Sequence, residues 1–134
     1  MCGIVGFWSH KTLDENAASL LTAMTDRLTH RGPDAGGTWL DKDSGVGLGH
    51  RRLSIIDLSV EGAQPMHSRD GRWVVAFNGE IYNHQILRDA LPSHDFRGHS
   101  DTESLVEHIA VFGVEATVQK TNGMFANANI PLVF

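Results

Sequence analysis

One cysteine in 134 residues cannot close an internal disulfide. No apolar run approaches the roughly eighteen residues a membrane-spanning helix needs, and the N-terminus lacks the basic flank and small-residue cleavage site of a secretion signal. Together these absences predict a cytoplasmic protein with no membrane partner. Basic clusters are missing as well, apart from Arg51-Arg52, and a net charge of −5 argues against a nucleic-acid partner. The eight histidines are scattered and none stand in an H-E-x-x-H arrangement, so no metal site is expected. The remainder is ordinary for one globular domain: 41% of residues are hydrophobic, enough for a single core, and no linker, repeat or low-complexity tract divides the chain.

The lone cysteine is the point of interest, because it stands directly behind Met1 and ahead of an apolar run, Ile4 to Trp8, that predicts a buried strand. Removal of Met1 would leave Cys2 with a thiol and a free α-amine, a group that titrates at about 7.7–8.0 in model compounds. Nucleophile and general base would then share one residue. The plainer reading is that position 2 accepts any small residue, and Cys2 alone does not decide between the two.

Thr12-Leu13-Asp14-Glu15 has the spelling of a capping box, with Thr12 as N-cap and Glu15 three residues on. Leu13, Ala17, Leu20, Leu21, Met24 and Leu28 follow at helical spacing and predict one apolar stripe lying on a sheet. Gly32 and Pro33 end that helix. Short strands are predicted at Thr38–Leu40 and Gly45–His50, with an extended segment from Leu53 to Asp57. Gly45, Gly47 and Gly49 are spaced G-x-G-x-G with no helix following, which does not make a dinucleotide loop. Ser59 to Ser68 reads as a loop. Arg72 to Phe77 is the strongest strand, apolar enough for both faces to be covered, and it is predicted to stop at Asn78-Gly79, a favoured hairpin dipeptide. A short helix over Asn83 to Leu91 stops at Pro92. A second capping box, Ser100-Asp101-Thr102-Glu103, opens a helix whose apolar residues Leu105, Val106, Ile109 and Phe112 lead to Gly113. Asp101 could serve there simply as an acid facing the helix N-terminus. Asn122 to Ala126 begins like a strand, but Asn127 to Pro131 carries a proline and reads as a break in it.

Six stretches, taken together, resemble one family: Met1-Cys2-Gly3-Ile4-Val5-Gly6, His30-Arg31-Gly32-Pro33-Asp34, His50-Arg51-Arg52-Leu53-Ser54-Ile55-Ile56-Asp57, Gln64-Pro65-Met66, Phe77-Asn78-Gly79-Glu80-Ile81-Tyr82-Asn83 and Ser100-Asp101-Thr102-Glu103. The chain resembles the class II glutamine amidotransferases, and most of all the glutaminase domain of glutamine-hydrolysing asparagine synthetases. The resemblance implies an α+β fold of the N-terminal nucleophile hydrolase type, a four-layer αββα sandwich. It implies hydrolysis of L-glutamine to glutamate and ammonia, with Cys2 as nucleophile and its α-amine as proton shuttle. By the same resemblance Asn78 and Gly79 form the oxyanion hole, Arg52 clamps the substrate carboxylate and Asp101 accepts the α-ammonium. Backbone groups of Leu53, Ser54, Ile55, Ile56 and Glu80 complete the glutamine pocket, while Arg51 is read as a solvated neighbour.

The resemblance covers residues 1–126, with 127–134 a divergent tail, so the sandwich is expected to be incomplete at its C-terminus. No synthetase domain is expected within these 134 residues, so no cofactor is expected here; ATP and magnesium would belong to that domain, which as a partner domain or chain would accept the ammonia. Uncovered sheet edges would favour self-association. Two alternatives remain open: an inactive remnant that at most binds glutamine or a partner chain, and a glutaminase domain serving a different acceptor.

Overall fold

Four consecutive apolar residues, Val74 to Phe77, are almost wholly inaccessible to solvent, so the strand they form is covered on both faces. The computed structural model describes residues 2–53 and 60–131. In chain order the elements are β1 (Gly3–Trp8), α1 (Ala17–Asp26), β2 (Ala35–Asp41), β3 (Val46–Arg52), a 3-10 turn (Val60–Gly62), β4 (Met66–His67), β5 (Trp73–Ile81), α2 (His84–Asp89), α3 (Asp101–Phe112), α4 (Val114–Lys120) and β6 (Gly123–Pro131). They build two antiparallel sheets, ordered β1-β3-β2 and β4-β5-β6.

Strand alternation sorts the core into two layers. Val74 and Ala76 point toward the other sheet, where they meet Leu48 and the partly buried Ile4 and Trp39, with Ala128 and Ile130 of the neighbouring β6 packed beside them. Val75 and Phe77 point the opposite way, into a cluster with Met66, Ile81, Leu87, Leu105, Val106 and Ile109 that seats α3 on β5. On the far side α1 covers the first sheet. A Cβ on Gly49 would run into the Thr25 hydroxyl, and one on Gly47 would come within 3.2 Å of Leu21. The G-x-G-x-G pattern therefore lets a helix lie close on β3. The result is the αββα layering expected from the resemblance. Among the described residues no helix is long and apolar enough to cross a membrane.

Several local expectations are corrected. α1 begins at Ala17 rather than Thr12, because the Leu13 N–H bonds to the Lys42 carbonyl at 3.0 Å and holds this stretch against the β2–β3 turn. Leu20 falls off the stripe and is 56% exposed. At the second capping box Ser100 does accept the Glu103 N–H at 3.1 Å. The Glu103 carboxylate, however, turns to the N–H groups of Arg97 at 2.6 Å and Gly98 at 2.9 Å, not back to Ser100. Glu103 and Glu107, both buried, tie the loop ahead of α3 to the helix: Arg97 reaches both, Arg88 lies 3.7 Å from Glu103, and His94 lies 3.1 Å from Glu107. Burial is the largest influence on the Glu107 carboxyl and raises its pKa. The helix α4 is missing from the sequence reading; it follows a turn at Gly113, whose φ of 81° suits glycine.

The largest correction concerns β5 and β6. β5 does not stop at Asn78-Gly79 but runs to Ile81, paired along its whole length with β6, Asn78 opposite Ala126 and Gly79 opposite Phe125. A Cβ on Gly79 would collide with the Met124 carbonyl oxygen and with Phe125, so glycine serves close strand approach here, not a turn. Residues 127–131 continue the same strand. Their pattern does alternate: Ala128 and Ile130 enter the core between the sheets, with Asn127 and Asn129 between them. Pro131 is tolerated because, among the described residues, β6 lies at a sheet edge.

Gly49→Ala is expected to lower stability by about 1–3 kcal/mol, the usual range for overpacking a filled interior. Its φ does not demand glycine, so the loss would come from contact with Thr25 and Val5 alone. An unchanged denaturant midpoint would show that α1 can lift off β3 without cost.

Candidate active site

The residues singled out from the sequence come from four separate elements, and the fold brings most of them to one end of the sandwich. A cavity of about 250 Å³ is lined by Cys2, by Arg52 and Leu53 at the end of β3, by Asn78, Gly79 and Glu80 on β5, and by Asp101 at the start of α3. Ser54, Ile55 and Ile56 lie outside the described residues. Gly62, Gln64, Tyr82, Thr102 and Met124 also line the cavity and had no assigned role.

Cys2 is partly buried at the head of β1. Its Sγ accepts the Leu53 N–H at 3.5 Å and faces the Leu53 carbonyl oxygen at 3.8 Å. The Cys2 carbonyl accepts from Arg31 Nε at 3.1 Å. That bond gives the His30–Asp34 stretch a purpose the sequence did not disclose: it anchors the backbone of Cys2. Arg51 joins the same anchor, donating from Nε to the Gly32 carbonyl at 3.2 Å and approaching Asp26 at 3.6 Å. With its side chain only 17% exposed, Arg51 is a structural clasp rather than the solvated neighbour expected. A Cβ on Gly32 would run into the backbone of Arg51 and Arg52, so this loop needs glycine to lie against β3. Arg52 points the other way, with its guanidinium against Gly62, where a Cβ would collide with it.

The edge of β5 shapes the opposite wall. β4 is two residues long and pairs only with Val74 and Val75, so among the described residues β5 has no strand neighbour on that side beyond it. Backbone N–H and C=O groups of alternate residues point to one edge; here these are Phe77, Gly79 and Ile81. Phe77 N–H donates to Gln64 Oε1 at 2.6 Å and its carbonyl accepts from His50 Nε2 at 3.0 Å. Ile81 N–H donates to Asp101 Oδ2 at 2.9 Å. Between them, alternation aims the Gly79 N–H into the cavity that Gly79 lines.

Asp101 is the first residue of the twelve-residue helix α3, where the helix dipole favours a carboxylate. Its Oδ1 lies 3.5 Å from the Thr102 hydroxyl. The site thus holds a thiol, a guanidinium, two carboxylates counting Glu80, and a strand-edge N–H. Among the described residues no three histidine, cysteine, aspartate or glutamate side chains lie together as metal ligands would.

His50 is fully buried, and burial pushes its imidazole pKa from 6.5 down to about 4, with the Arg52 charge adding to the effect and the Phe77 bond opposing it. The ring is therefore neutral at pH 7 and donates from Nε2.

Residues 1–129 match the family profile described as glutamine amidotransferase domain. Asparagine synthetase [glutamine-hydrolyzing] 2 of Arabidopsis thaliana is 40% identical over 126 residues, 94% of this chain and 21% of that protein. Asparagine synthetase [glutamine-hydrolyzing] 1 of Bacillus subtilis is 41% identical over 130 residues, 94% of this chain and 20% of that one. The chain thus spans about a fifth of the length of these curated relatives. Among solved structures, glutamine phosphoribosylpyrophosphate amidotransferase from B. subtilis superposes with a TM-score of 0.72 at 20% identity, covering 96% of this chain and 35% of that one. That likeness is one of fold. The chain belongs to the glutamine amidotransferase domain family, with the N-terminal nucleophile fold that the layering already indicated.

A buried neutral histidine fixes the sign of one pH effect. Between pH 6.5 and about 4 the unfolded chain binds a proton at His50 that the folded chain does not. Its contribution is complete above that window and is lost as pH falls through it, by about 3 kcal/mol in all. Denaturant titrations of wild type and His50→Gln across this range should diverge, the variant losing less stability toward low pH. Parallel curves would remove His50 from the account.

Proposed function

We propose that this chain hydrolyses L-glutamine to glutamate and ammonia, with Cys2 as nucleophile. One observation carries the reading: the only thiol of the chain opens into the same cavity as Arg52, Asp101 and the edge of β5 at Gly79, which no described strand covers. Glutamine is a zwitterion, so its pocket needs a cation and an anion at separate points. Arg52 takes the α-carboxylate through a guanidinium fork, and Asp101 takes the α-ammonium. Leu53, Glu80 and, by resemblance, Ser54, Ile55 and Ile56 close the rest of the pocket.

Once Met1 is removed, the α-amine of Cys2 accepts the thiol proton. The thiolate then forms a C–S bond to the side-chain amide carbon, and negative charge moves to the amide oxygen. The Asn78 side-chain NH₂ and the Gly79 N–H stabilise that charge, each donor contributing roughly 2.7–4 kcal/mol in comparable oxyanion holes. Collapse breaks the C–N bond, and the protonated amine returns its proton to the departing ammonia. Water, deprotonated by the same amine, cleaves the thioester to give glutamate and free Cys2.

The ammonia goes to an acceptor activated elsewhere. Since relatives are named glutamine-hydrolysing asparagine synthetases, we infer that this domain supplies a synthetase domain or chain in the cytoplasm. ATP and magnesium would be bound there, and the glutaminase step balances without either. A different acceptor is the second reading, since one relative, chry2 of Gibberella zeae, 37% identical over 136 residues, is named an amidase and not a synthetase.

Cys2→Ala is expected to reduce glutamate release to background with an unchanged far-UV circular dichroism spectrum. In the parent chain, a glutamine analogue bearing a diazo ketone should add once, to a chain lacking Met1, and excess glutamine should block the adduct. Residual turnover in Cys2→Ala, or an adduct on another residue, would defeat the proposal.

A further inference from the structure

Resting on that reading, the hydrogen-bond pattern behind Asp101 points to a further assignment. We infer that Gln64 and Thr102 are positioning residues that aim the Asp101 carboxylate, and that through it they make the pocket selective for substrates carrying an α-ammonium group.

The directions of the bonds leave little freedom. Phe77 N–H donates to Gln64 Oε1 at 2.6 Å, which fixes the oxygen side of the amide. Its Nε2 must then be the group facing Thr102, and it donates to Oγ1 at 3.2 Å. With a lone pair of Oγ1 engaged by that donor, the Thr102 hydroxyl hydrogen is turned outward, toward Asp101 Oδ1 at 3.5 Å. The other oxygen, Oδ2, accepts from Ile81 N–H at 2.9 Å. Oδ2 is thereby tied to the wall, while Oδ1 faces the Thr102 hydroxyl at a longer distance, each keeping a lone pair for a ligand. Thr102 is almost fully buried and Gln64 is partly buried, so neither is free to rotate into solvent. A carboxylate bonded at one oxygen and faced by a hydroxyl at the other presents its charge in a preferred orientation, and a cation in the cavity gains from that orientation without ordering it on arrival.

The relay predicts an effect that depends on the ligand. In a Cys2→Ala background, where nothing is turned over, calorimetry would measure binding of L-glutamine and of glutaramate, the same molecule without its α-amine. Gln64→Met and Thr102→Val should each weaken glutamine by about tenfold, the scale of one hydrogen bond to a charged group, and leave glutaramate within about twofold. Thr102→Ser, which keeps the hydroxyl, should restore glutamine binding. Gln64→Glu is the variant that separates positioning from folding. Its carboxylate still accepts Phe77 N–H but cannot donate, so the Thr102 hydroxyl turns toward it and away from Asp101, and selectivity should fall while the strand edge stays satisfied.

Equal weakening of both ligands in every variant would mean a merely structural role and overturn the relay. Unchanged glutamine affinity in Gln64→Glu and Thr102→Val would overturn it as well. A parent chain that binds neither ligand would overturn the glutamine reading itself, and the relay with it, a result distinct from the other two.

Discussion

The structure depends on how one strand edge is satisfied. β4 pairs with only two residues of β5, yet β5 continues for six residues past Val75, and a backbone N–H or C=O left dry and unpaired costs about as much as a lost hydrogen bond. Side chains take over where the strand partner ends. His50 comes from the other sheet, Gln64 from the loop before β4, and Asp101 from a helix terminus. The gap they leave at Gly79 opens into the cavity. The site is therefore not an addition to a finished fold: the same short strand that would leave β5 incomplete creates the place where a backbone donor can face a ligand.

This arrangement explains which parts were legible in the sequence. Long apolar segments announce themselves, so β1, the core of β5 and the body of α3 fall where periodicity and capping place them, as does the layer order once the motifs are recognised. Cys2, Arg52, Asn78, Gly79 and Asp101 were legible as members of motifs. What was not legible is whatever depends on a partner distant in the chain. His50 and Gln64 act on the backbone of Phe77, 27 and 13 residues away, and no local pattern marks a side chain that bonds to a remote carbonyl or amide. Arg51 was misjudged, and Arg31 left without a role, for the same reason: the carbonyls they hold, at Gly32 and Cys2, exist as partners only after folding.

Three errors come from local signals that mislead. Asn78-Gly79 has strong turn chemistry, and tertiary pairing with β6 overrides it; a short-range preference yields to nine cross-strand pairs. Asn127 to Pro131 has period-two spacing written in residues of poor strand propensity, so the period is present but the usual markers, branched and aromatic side chains, are sparse. The capping box at Thr12 likewise loses to a backbone bond between Leu13 and Lys42. At Asn78-Gly79 and at Thr12 the competing interaction joins segments far apart in sequence.

The double tether at Phe77 has a consequence for the neighbouring residue. With its N–H held by Gln64 and its C=O by His50, the peptide planes on both sides of Phe77 are fixed in rotation, and the usual low-energy libration of a strand end, in which one plane cranks against the next, is closed to this segment. Asn78 leaves the backbone from a carbonyl that cannot tilt. Its remaining freedom lies in two side-chain torsions, so the amide samples a small cone rather than a volume, and the entropy lost when it is brought to bear on a ligand is that of two bonds instead of a whole stretch of chain.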